Sequence, residues 1–173
     1  MKKNIDVIIS KEQIEKRILE LAEEISRFYK GRELIMVCIL KGAVIFFGEL
    51  AKNITAAVKM DFMRVSSYGS RGSTSGNIMI VKDLELDIAD KDVLIVEDIV
   101  DTGLTLKTLI GVLLARRPAS LKVCCLLDKP SRHKADILPD FIGFSIEDRF
   151  VVGYGLDFDE KYRNLPFIGA VKN

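Results

Sequence analysis

The sequence has 173 residues, 49% of them hydrophobic, and its 26 basic and 25 acidic side chains leave a formal net charge of +1. This length can bury one substantial core but is short for two, so we predict one domain over residues 1–173. The balanced charge argues against nucleic acid and membrane surfaces as partners. The sequence has no apolar run of about 18 residues and no signal-peptide core. Its three cysteines lie in apolar runs without metal-ligand spacing, which favours a cytoplasmic protein.

The first half of the chain predicts a helix, a buried strand and a second helix. Ser10 and Gln13 have the spacing of a capping box, and the apolar residues after them recur at helical spacing, namely Ile14, Ile18, Leu21, Ala22, Ile25 and Phe28. Leu34 to Leu40 is apolar without interruption, which is typical of a strand covered on both faces. This strand ends at Lys41-Gly42, and a second helix is predicted through AVIFFGELAKNI.

The middle of the chain predicts a hairpin, a central strand and a third helix. Val58 to Val65 has the composition of a strand, and Asn77 to Val81 is its predicted partner, with a glycine- and serine-rich loop from Ser67 to Gly76 between them. Val93 to Val96 predicts a central strand, and Leu121 to Leu127 the next one. The helix between these two has an apolar face formed by Leu106, Leu109, Ile110, Leu113 and Leu114.

This alternation of strands and helices predicts an α/β fold with a mainly parallel, doubly wound sheet. Ligands bind such sheets beyond the carboxyl ends of the strands. Three predicted strands end in polar clusters, which are Lys41-Gly42, Glu97 to Thr105, and Asp128 to Arg132. We therefore expect these three clusters to converge on one crevice.

The segment DTGLT, Asp101 to Thr105, predicts a phosphate site. It joins the central strand to the third helix, and the first amides of a helix have no partner within it and attract an anion. Gly103 allows close approach of the backbone, and Thr102 and Thr105 offer hydroxyl donors. Leu104 adds no cation. A phosphate monoester fits this turn.

Glu97 and Asp98 require a different partner, because they would repel a phosphate. Ribose hydroxyls, or Mg²⁺ held through water or substrate oxygens, would satisfy both carboxylates, so a sugar 5-phosphate meets the demands of the whole segment. The alternative is a solvated loop that ends in an N-cap at Asp101. Neither the Gly-Lys-Ser/Thr of a Walker loop nor a GxGxxG motif occurs in the sequence.

VLIVEDIVDTGLTL, Val93 to Leu106, resembles the signature of the type I phosphoribosyltransferases. The similarity to purine members of this family extends from about Leu34 to Val171 through five further motifs in order: LKGAVIFF, SSYGS, LLDKPSR, FIGFSI and FVVGYGLDFDEKYRNLPFIG. The resemblance implies the type I fold, with helices flanking the sheet and a base-binding hood built largely from about residues 128–173. It also implies purine salvage by Mg²⁺-dependent transfer of 5-phosphoribosyl from phosphoribosyl pyrophosphate to hypoxanthine or guanine, forming IMP or GMP plus pyrophosphate.

The resemblance assigns roles to the residues around the phosphate turn. It implies that Glu97 and Asp98 hold the ribose hydroxyls, partly through Mg²⁺, and that Asp101 accepts the proton of purine N7. An aspartate is ionised at neutral pH without any shift of its pKa, so Asp101 suits this role. Lys129 is implied to donate to the 6-oxo group of the purine. An ammonium has donors only, so adenine should be rejected.

The resemblance also supplies the rest of the pocket. Phe150 is implied to stack on the base, while the backbone carbonyls of Val151 and Asp157 receive the amino group of guanine. The Asp157 carboxylate is implied to contact a second Mg²⁺. Arg163 and the Lys41-Gly42 turn would bind pyrophosphate, for which a guanidinium fork is suited. In the family the peptide that enters this lysine is often cis.

Some positions depend on the family alone or depart from it. Ser67 and Tyr68 resemble the start of a mobile loop, about residues 67–76, that closes over the site and excludes water. Leu104 stands where some relatives have lysine, and His133 where bacterial relatives commonly have arginine. We interpret His133 as a surface residue.

Two other functions remain open at this stage. One is an RNA-binding regulator with the same fold, which would need a basic face, and the other is a sister enzyme specific for xanthine. The resemblance further implies a homodimer or homotetramer. The apolar segments near Phe46-Phe47 and Phe62 supply either its interface or part of the core.

Overall fold

The computed structural model describes residues 5–67 and 78–171. Within them the strands are β1 (Ile5–Ile9), β2 (Glu33–Ile39), β3 (Ala57–Ser67), β4 (Ile78–Lys82), β5 (Asp92–Val100), β6 (Ser120–Asp128), β7 (Phe141–Ser145), β8 (Val151–Val152) and β9 (Ile168–Val171). The helices are α1 (Lys11–Phe28), α2 (Val44–Asn53) and α3 (Leu104–Leu114), and a 3₁₀ turn covers Pro130–Arg132.

Two sheets organise these elements. The larger has six strands in the order β4-β3-β2-β5-β6-β7, and β4 alone in it runs antiparallel to its neighbour. The smaller sheet joins β1, β9 and β8 by antiparallel pairing. The predicted α/β fold with a mainly parallel sheet is confirmed, as is the hairpin formed by β3 and β4.

The core lies on both faces of the large sheet. Alternate residues of β2 pack into two clusters: Leu34, Met36 and Cys38 face α1 and α2, whereas Ile35, Val37 and Ile39 face α3. All six are at most 5% exposed. Helices on both faces explain why this strand has no polar residue after Glu33.

The ends of the helices follow the predicted signals in most respects. The capping box of α1 is formed, since Gln13 N donates to Ser10 Oγ at 3.3 Å and Ser10 N to Gln13 Oε1 at 2.8 Å. The prediction that Phe28 and Leu114 belong to buried helix faces is wrong. Phe28 ends α1 and is 46% exposed; it packs edge-on against Tyr29 and Phe141 and lies beneath the cations of Arg32 and Lys122. Leu114 is 51% exposed, because it lies beside the narrow buried stripe of α3.

The open question about the phenylalanines is decided in favour of the core. Phe46 and Phe47 are at most 2% exposed, and the ring of Phe62 lies 5.5 Å from that of Phe47. No helix among residues 5–67 and 78–171 is long and apolar enough to cross a membrane.

Candidate active site

The three polar strand ends converge, as predicted. The turn after β2 lies against β5, since the carboxylate of Asp98 occupies the space in which a side chain on Gly42 would stand. The turn after β6 is tied to the end of β5, since Lys129 N donates to Val100 O at 2.9 Å. Parallel pairing of β2, β5 and β6 brings all three carboxyl ends to one edge of the sheet.

Glu97 and Asp98 lie inside β5 rather than beyond it, so the strand is longer than its apolar run predicted. The parallel ladder with β6 pairs Glu97 with Cys125 and continues to Val100. The strand therefore carries its two acids out of the core to the edge where a ligand would lie. Regular backbone fixes them more firmly than a loop would.

Burial raises the pKa of both acids. The Glu97 pKa is raised well above its ordinary range, chiefly because the carboxyl is removed from water and secondly because Asp98 lies beside it. Removal from water also raises the Asp98 pKa, against the hydrogen bond that its Oδ1 accepts from Ile99 N at 2.7 Å and the nearby charge of Arg163. Such a pair favours a cation or hydroxyl donors as its partner.

Glycine is required where the Lys41-Gly42 turn meets β5 and the C-terminal segment. A Cβ on Gly42 would lie 1.6 Å from Asp98 Oδ2, and a Cβ on Gly155 would lie 1.9 Å from Gly42 O. The turn is thus held between Asp98 and Gly155. The Leu40–Lys41 peptide is cis.

The DTGLT turn has the geometry expected of a phosphate cradle. Gly103 adopts φ +74° ahead of α3, and its carbonyl accepts from Lys107 N at 2.9 Å. The first amides of α3 follow directly, and Leu104 N lies 3.5 Å from Thr102 Oγ1. On its other side, Thr102 O accepts from Lys134 N at 2.9 Å, which ties the cradle to the segment after β6.

Asp101 and Lys129 lie in one network of charges. Arg132 Nε donates to Asp101 Oδ1 at 3.0 Å. Asp148 lies between the two cations, with Oδ2 3.4 Å from Arg132 Nη1 and Oδ1 3.5 Å from Lys129 Nζ. The Lys129 side chain is only 9% exposed, so its ammonium is directed within the site and not into bulk solvent. Asp148 belongs to no motif or periodic pattern in the sequence.

Phe150 is not a core residue. It is 53% exposed, and the edge of its ring meets Phe158 at a centroid distance of 5.5 Å. The next residue, Val151, begins β8 and is buried. A half-exposed ring held by a second ring offers a flat apolar surface on which a base can stack.

Arg163 is held by the segment that precedes it. Its Nη1 donates to Gly155 O at 2.7 Å, and its Nη2 lies 2.8 Å from Asp157 Oδ1. Glu160, which the sequence did not single out, bridges Arg163 and Lys41, with Oε2 3.0 Å from Lys41 Nζ. Arg163 Nε is buried and has no hydrogen-bond partner among the described residues. The two cations expected to bind pyrophosphate thus lie together, balanced by carboxylates.

The carboxylates fit Mg²⁺ of the kind that is shared with a substrate. Residues 5–67 and 78–171 contain no group of three or more potential ligand side chains that could by itself hold a metal ion. Mg²⁺ usually keeps several waters and uses one or two carboxylates together with substrate oxygens. The partly buried Asp98 and Glu97, and Asp157 beside Arg163, are hard oxygen donors of that type.

The interpretation of His133 as a surface residue is wrong. Its side chain is 13% exposed, and its Nε2 lies 2.7 Å from Oδ1 of Asp128, which is 3% exposed. Asp128 is buried at the end of β6 and therefore needs a hydrogen-bond partner, which His133 provides. The sequence did not reveal this burial. Of the predicted mobile loop, Ser67 ends β3, and Tyr68 together with the residues up to Asn77 lies outside the described part of the chain.

Comparison with known proteins places this site in context. Residues 5–159 match the family described as phosphoribosyl transferase domain. The chain is 48% identical over 173 residues to hypoxanthine-guanine phosphoribosyltransferase of Bacillus subtilis, covering 99% of this chain and 96% of that one. It is 47% identical to hypoxanthine phosphoribosyltransferase of Escherichia coli, covering 99% and 97%. A crystal structure of a hypoxanthine-guanine phosphoribosyltransferase from Bacillus anthracis matches with a TM-score of 0.95 at 43% identity, covering 99% of this chain and all of that one.

Proposed function

The chain belongs to the phosphoribosyltransferase family, and from this premise we propose that it transfers the 5-phosphoribosyl group of phosphoribosyl pyrophosphate to N9 of hypoxanthine or guanine. The products are IMP or GMP and pyrophosphate. The observation that carries the proposal is the meeting of the phosphate cradle, the paired acids of β5 and the buried Lys129 at one sheet edge. Relatives of nearly equal length bear the corresponding names.

Each part of phosphoribosyl pyrophosphate has a matching group in the site. The amides and hydroxyls of Thr102 to Thr105 hold the 5-phosphate, and Glu97 and Asp98 orient the ribose hydroxyls. Glu97 and Asp98 would hold one Mg²⁺ together with the substrate and Asp157 a second one, and these ions would supply positive charge to the leaving pyrophosphate. Arg163 and the Lys41-Gly42 turn grip that pyrophosphate and fix its direction of departure.

Asp101 acts as the base. Its carboxylate is partly exposed at the strand edge and is held by Arg132, which keeps it oriented until the purine arrives. The N7 proton of the bound purine then passes to Asp101 Oδ as N9 bonds to the ribose carbon. Loss of this proton leaves the product neutral at N7, so the transfer is completed without a charged purine.

Selection among bases follows from the donors and acceptors around the ring. Lys129 Nζ donates to a 6-oxo oxygen, and it faces the 6-amino group of adenine donor to donor. The Lys129 side chain is only 9% exposed, so little water can hydrogen-bond to the unpaired donors. This mismatch therefore costs binding free energy, and adenine is rejected. Phe150 covers one face of the base, and the backbone carbonyls of Val151 and Asp157 accept from the 2-amino group of guanine.

The basic groups offer little to RNA. Arg116 is paired with Asp83 at 2.8 Å and Lys122 with Asp140 at 2.7 Å, while Lys129 and Arg132 lie against acids of the pocket. Phosphate binding by a basic face needs cations that are free to replace counterions. The charge distribution therefore favours the enzyme over a regulator that binds RNA.

Self-association and cellular location also belong to this proposal. Met60 of β3 and Met79 and Val81 of β4 lie on one face of the hairpin and are 47–52% exposed, which supports a contact between copies in a homodimer or homotetramer. Cys38, Cys124 and Cys125 are free and buried, which supports a reducing compartment such as the cytoplasm.

The test is a spectrophotometric assay with phosphoribosyl pyrophosphate and Mg²⁺, in which hypoxanthine, guanine, xanthine, adenine and uracil are offered separately. We expect turnover of hypoxanthine and guanine and none of adenine or uracil. Turnover of xanthine alone would assign the protein to the sister enzyme. No turnover of any base, together with salt-dependent binding of RNA, would assign it to the regulator.

A further inference from the structure

The turn that carries Lys129 is closed by a buried pair of side chains at its two ends. Asp128 precedes Lys129 and ends β6, and His133 follows the 3₁₀ turn. His133 Nε2 lies 2.7 Å from Asp128 Oδ1, and the two side chains are 13% and 3% exposed. Removal of this contact from water makes it stronger and its loss more costly than at the surface.

We call the Asp128–His133 pair the clasp, and two cations of the site lie in the segment between its two residues. Lys129 and Arg132 reach Asp148 and Asp101 from within the segment that Asp128 and His133 close. The backbone inside the clasp has few bonds of its own: Arg132 N donates to Lys129 O at 2.9 Å and His133 N to Pro130 O at 3.3 Å. Lys129 N also donates to Val100 O at 2.9 Å, which fixes the start of the turn, and the side-chain pair then ties its end at His133 back to Asp128.

The phosphate cradle is supported independently of this pair. Lys134 N and Ala135 N donate to Thr102 O at 2.9 and 3.2 Å. These bonds use the backbone and not the imidazole. Loss of the imidazole should thus loosen the Lys129 turn while the support of the cradle persists.

We propose that the Asp128–His133 pair is a positioning element for purine recognition, which holds Lys129 and Arg132 at the distances at which they meet the base and Asp101. The inference rests on the proposed function. A merely structural pair would lower thermal stability alone, whereas a positioning pair also sets the affinity for the purine separately from that for phosphoribosyl pyrophosphate.

Two amide variants at one position separate these roles. His133→Gln places an amide N–H donor near the position of the imidazole Nε2, so it preserves the contact with Asp128. His133→Asn carries the same amide but is one methylene shorter, so its donor does not reach Asp128 Oδ1. We expect the KM for hypoxanthine to rise at least about tenfold in His133→Asn and to stay within about threefold of the wild type in His133→Gln. The KM for phosphoribosyl pyrophosphate should stay within about threefold in both.

The control is Arg116→Gln, which breaks an ion pair with Asp83 at 2.8 Å just after the C-terminal end of α3. It should shift the melting temperature without changing either KM. Equal kinetics of His133→Asn and the wild type would overturn the inference, as would equal impairment of the two amide variants. If His133→Asn does not fold, Asp128→Ala provides the test, because it removes the oxygen that lies 2.7 Å from His133 Nε2. A KM for hypoxanthine that stays unchanged in Asp128→Ala would likewise overturn it.

The proposed function is judged separately, by the wild type in the same assay. A wild-type protein that does not turn over hypoxanthine refutes the function. An active wild type whose variants show no selective change in the KM for hypoxanthine refutes only the role of the clasp.

Discussion

Replacement of Gly42 by alanine should disable the site while leaving the fold intact. The added Cβ would lie 1.6 Å from Asp98 Oδ2 and 2.6 Å from Asp98 Cγ. Real Cβ atoms essentially never approach a heavy atom closer than 3.0 Å, so the carboxylate must move by at least about 1.4 Å, the difference between 3.0 and 1.6 Å. Asp98 has little freedom to yield, since its other oxygen accepts from Ile99 N at 2.7 Å.

A displacement of this size has a predictable effect on the rate. Misplacement of a positioning group by about 1 Å costs on the order of a hundredfold, or about 2.7 kcal/mol in transition-state stabilisation. We therefore expect kcat/KM for phosphoribosyl pyrophosphate to fall about a hundredfold in Gly42→Ala. Steady-state kinetics at several Mg²⁺ concentrations measure this loss, and the circular dichroism spectrum shows whether the fold is retained.

The matched control is Gly48→Ala. Gly48 lies in α2, and a Cβ there would meet nothing within 4 Å. The same change should leave the kinetics unaltered and raise the stability by roughly 0.5–1 kcal/mol, because alanine is the better helix former. Folded Gly42→Ala with kcat/KM within about threefold of the wild type would refute the close fit of the turn against Asp98.

Two further predictions concern single side chains. The Glu97 pKa is raised in the folded protein, so the unfolded chain ionises first and stability falls as pH rises from the ordinary value of 4.5 toward the folded pKa. In urea unfolding without Mg²⁺, the free energy of unfolding of Glu97→Gln should rise relative to that of the wild type as pH increases through this range. A stability difference between the two proteins that does not vary with pH would contradict the burial of this charge. Lys129→Gln should lower the preference for hypoxanthine over adenine at least about tenfold in kcat/KM, because an amide can also accept from a 6-amino group. An unchanged preference would remove Lys129 from base selection.

The sequence predicted the strands and helices well where one local cause decides them. The capping box of α1 is local chemistry, and the unbroken apolar run of β2 reports a strand covered on both faces. The length of β5 was underestimated because Glu97 and Asp98 interrupt its apolar run, although the strand continues to Val100, which is buried in the core.

Contacts between distant segments account for what the sequence missed in the site. His133 has a partner only because the fold buries Asp128 five residues earlier, and no spacing rule announces that burial. Asp148 and Glu160 join the site through loops that return to the strand edge, so neither belongs to a recognisable pattern. Motifs thus identified the groups that would touch the substrate, and the structure adds those that hold them in place.

The most direct test of the account is the effect of Asp101→Asn on the steady-state kinetics with hypoxanthine. The amide keeps the size of the carboxylate but cannot take the N7 proton, and a general base contributes about 10²–10⁴-fold to a rate. We predict that kcat falls at least about a hundredfold while the KM for phosphoribosyl pyrophosphate stays within about threefold. A kcat close to that of the wild type would contradict the role of Asp101 and with it the assigned chemistry of the site.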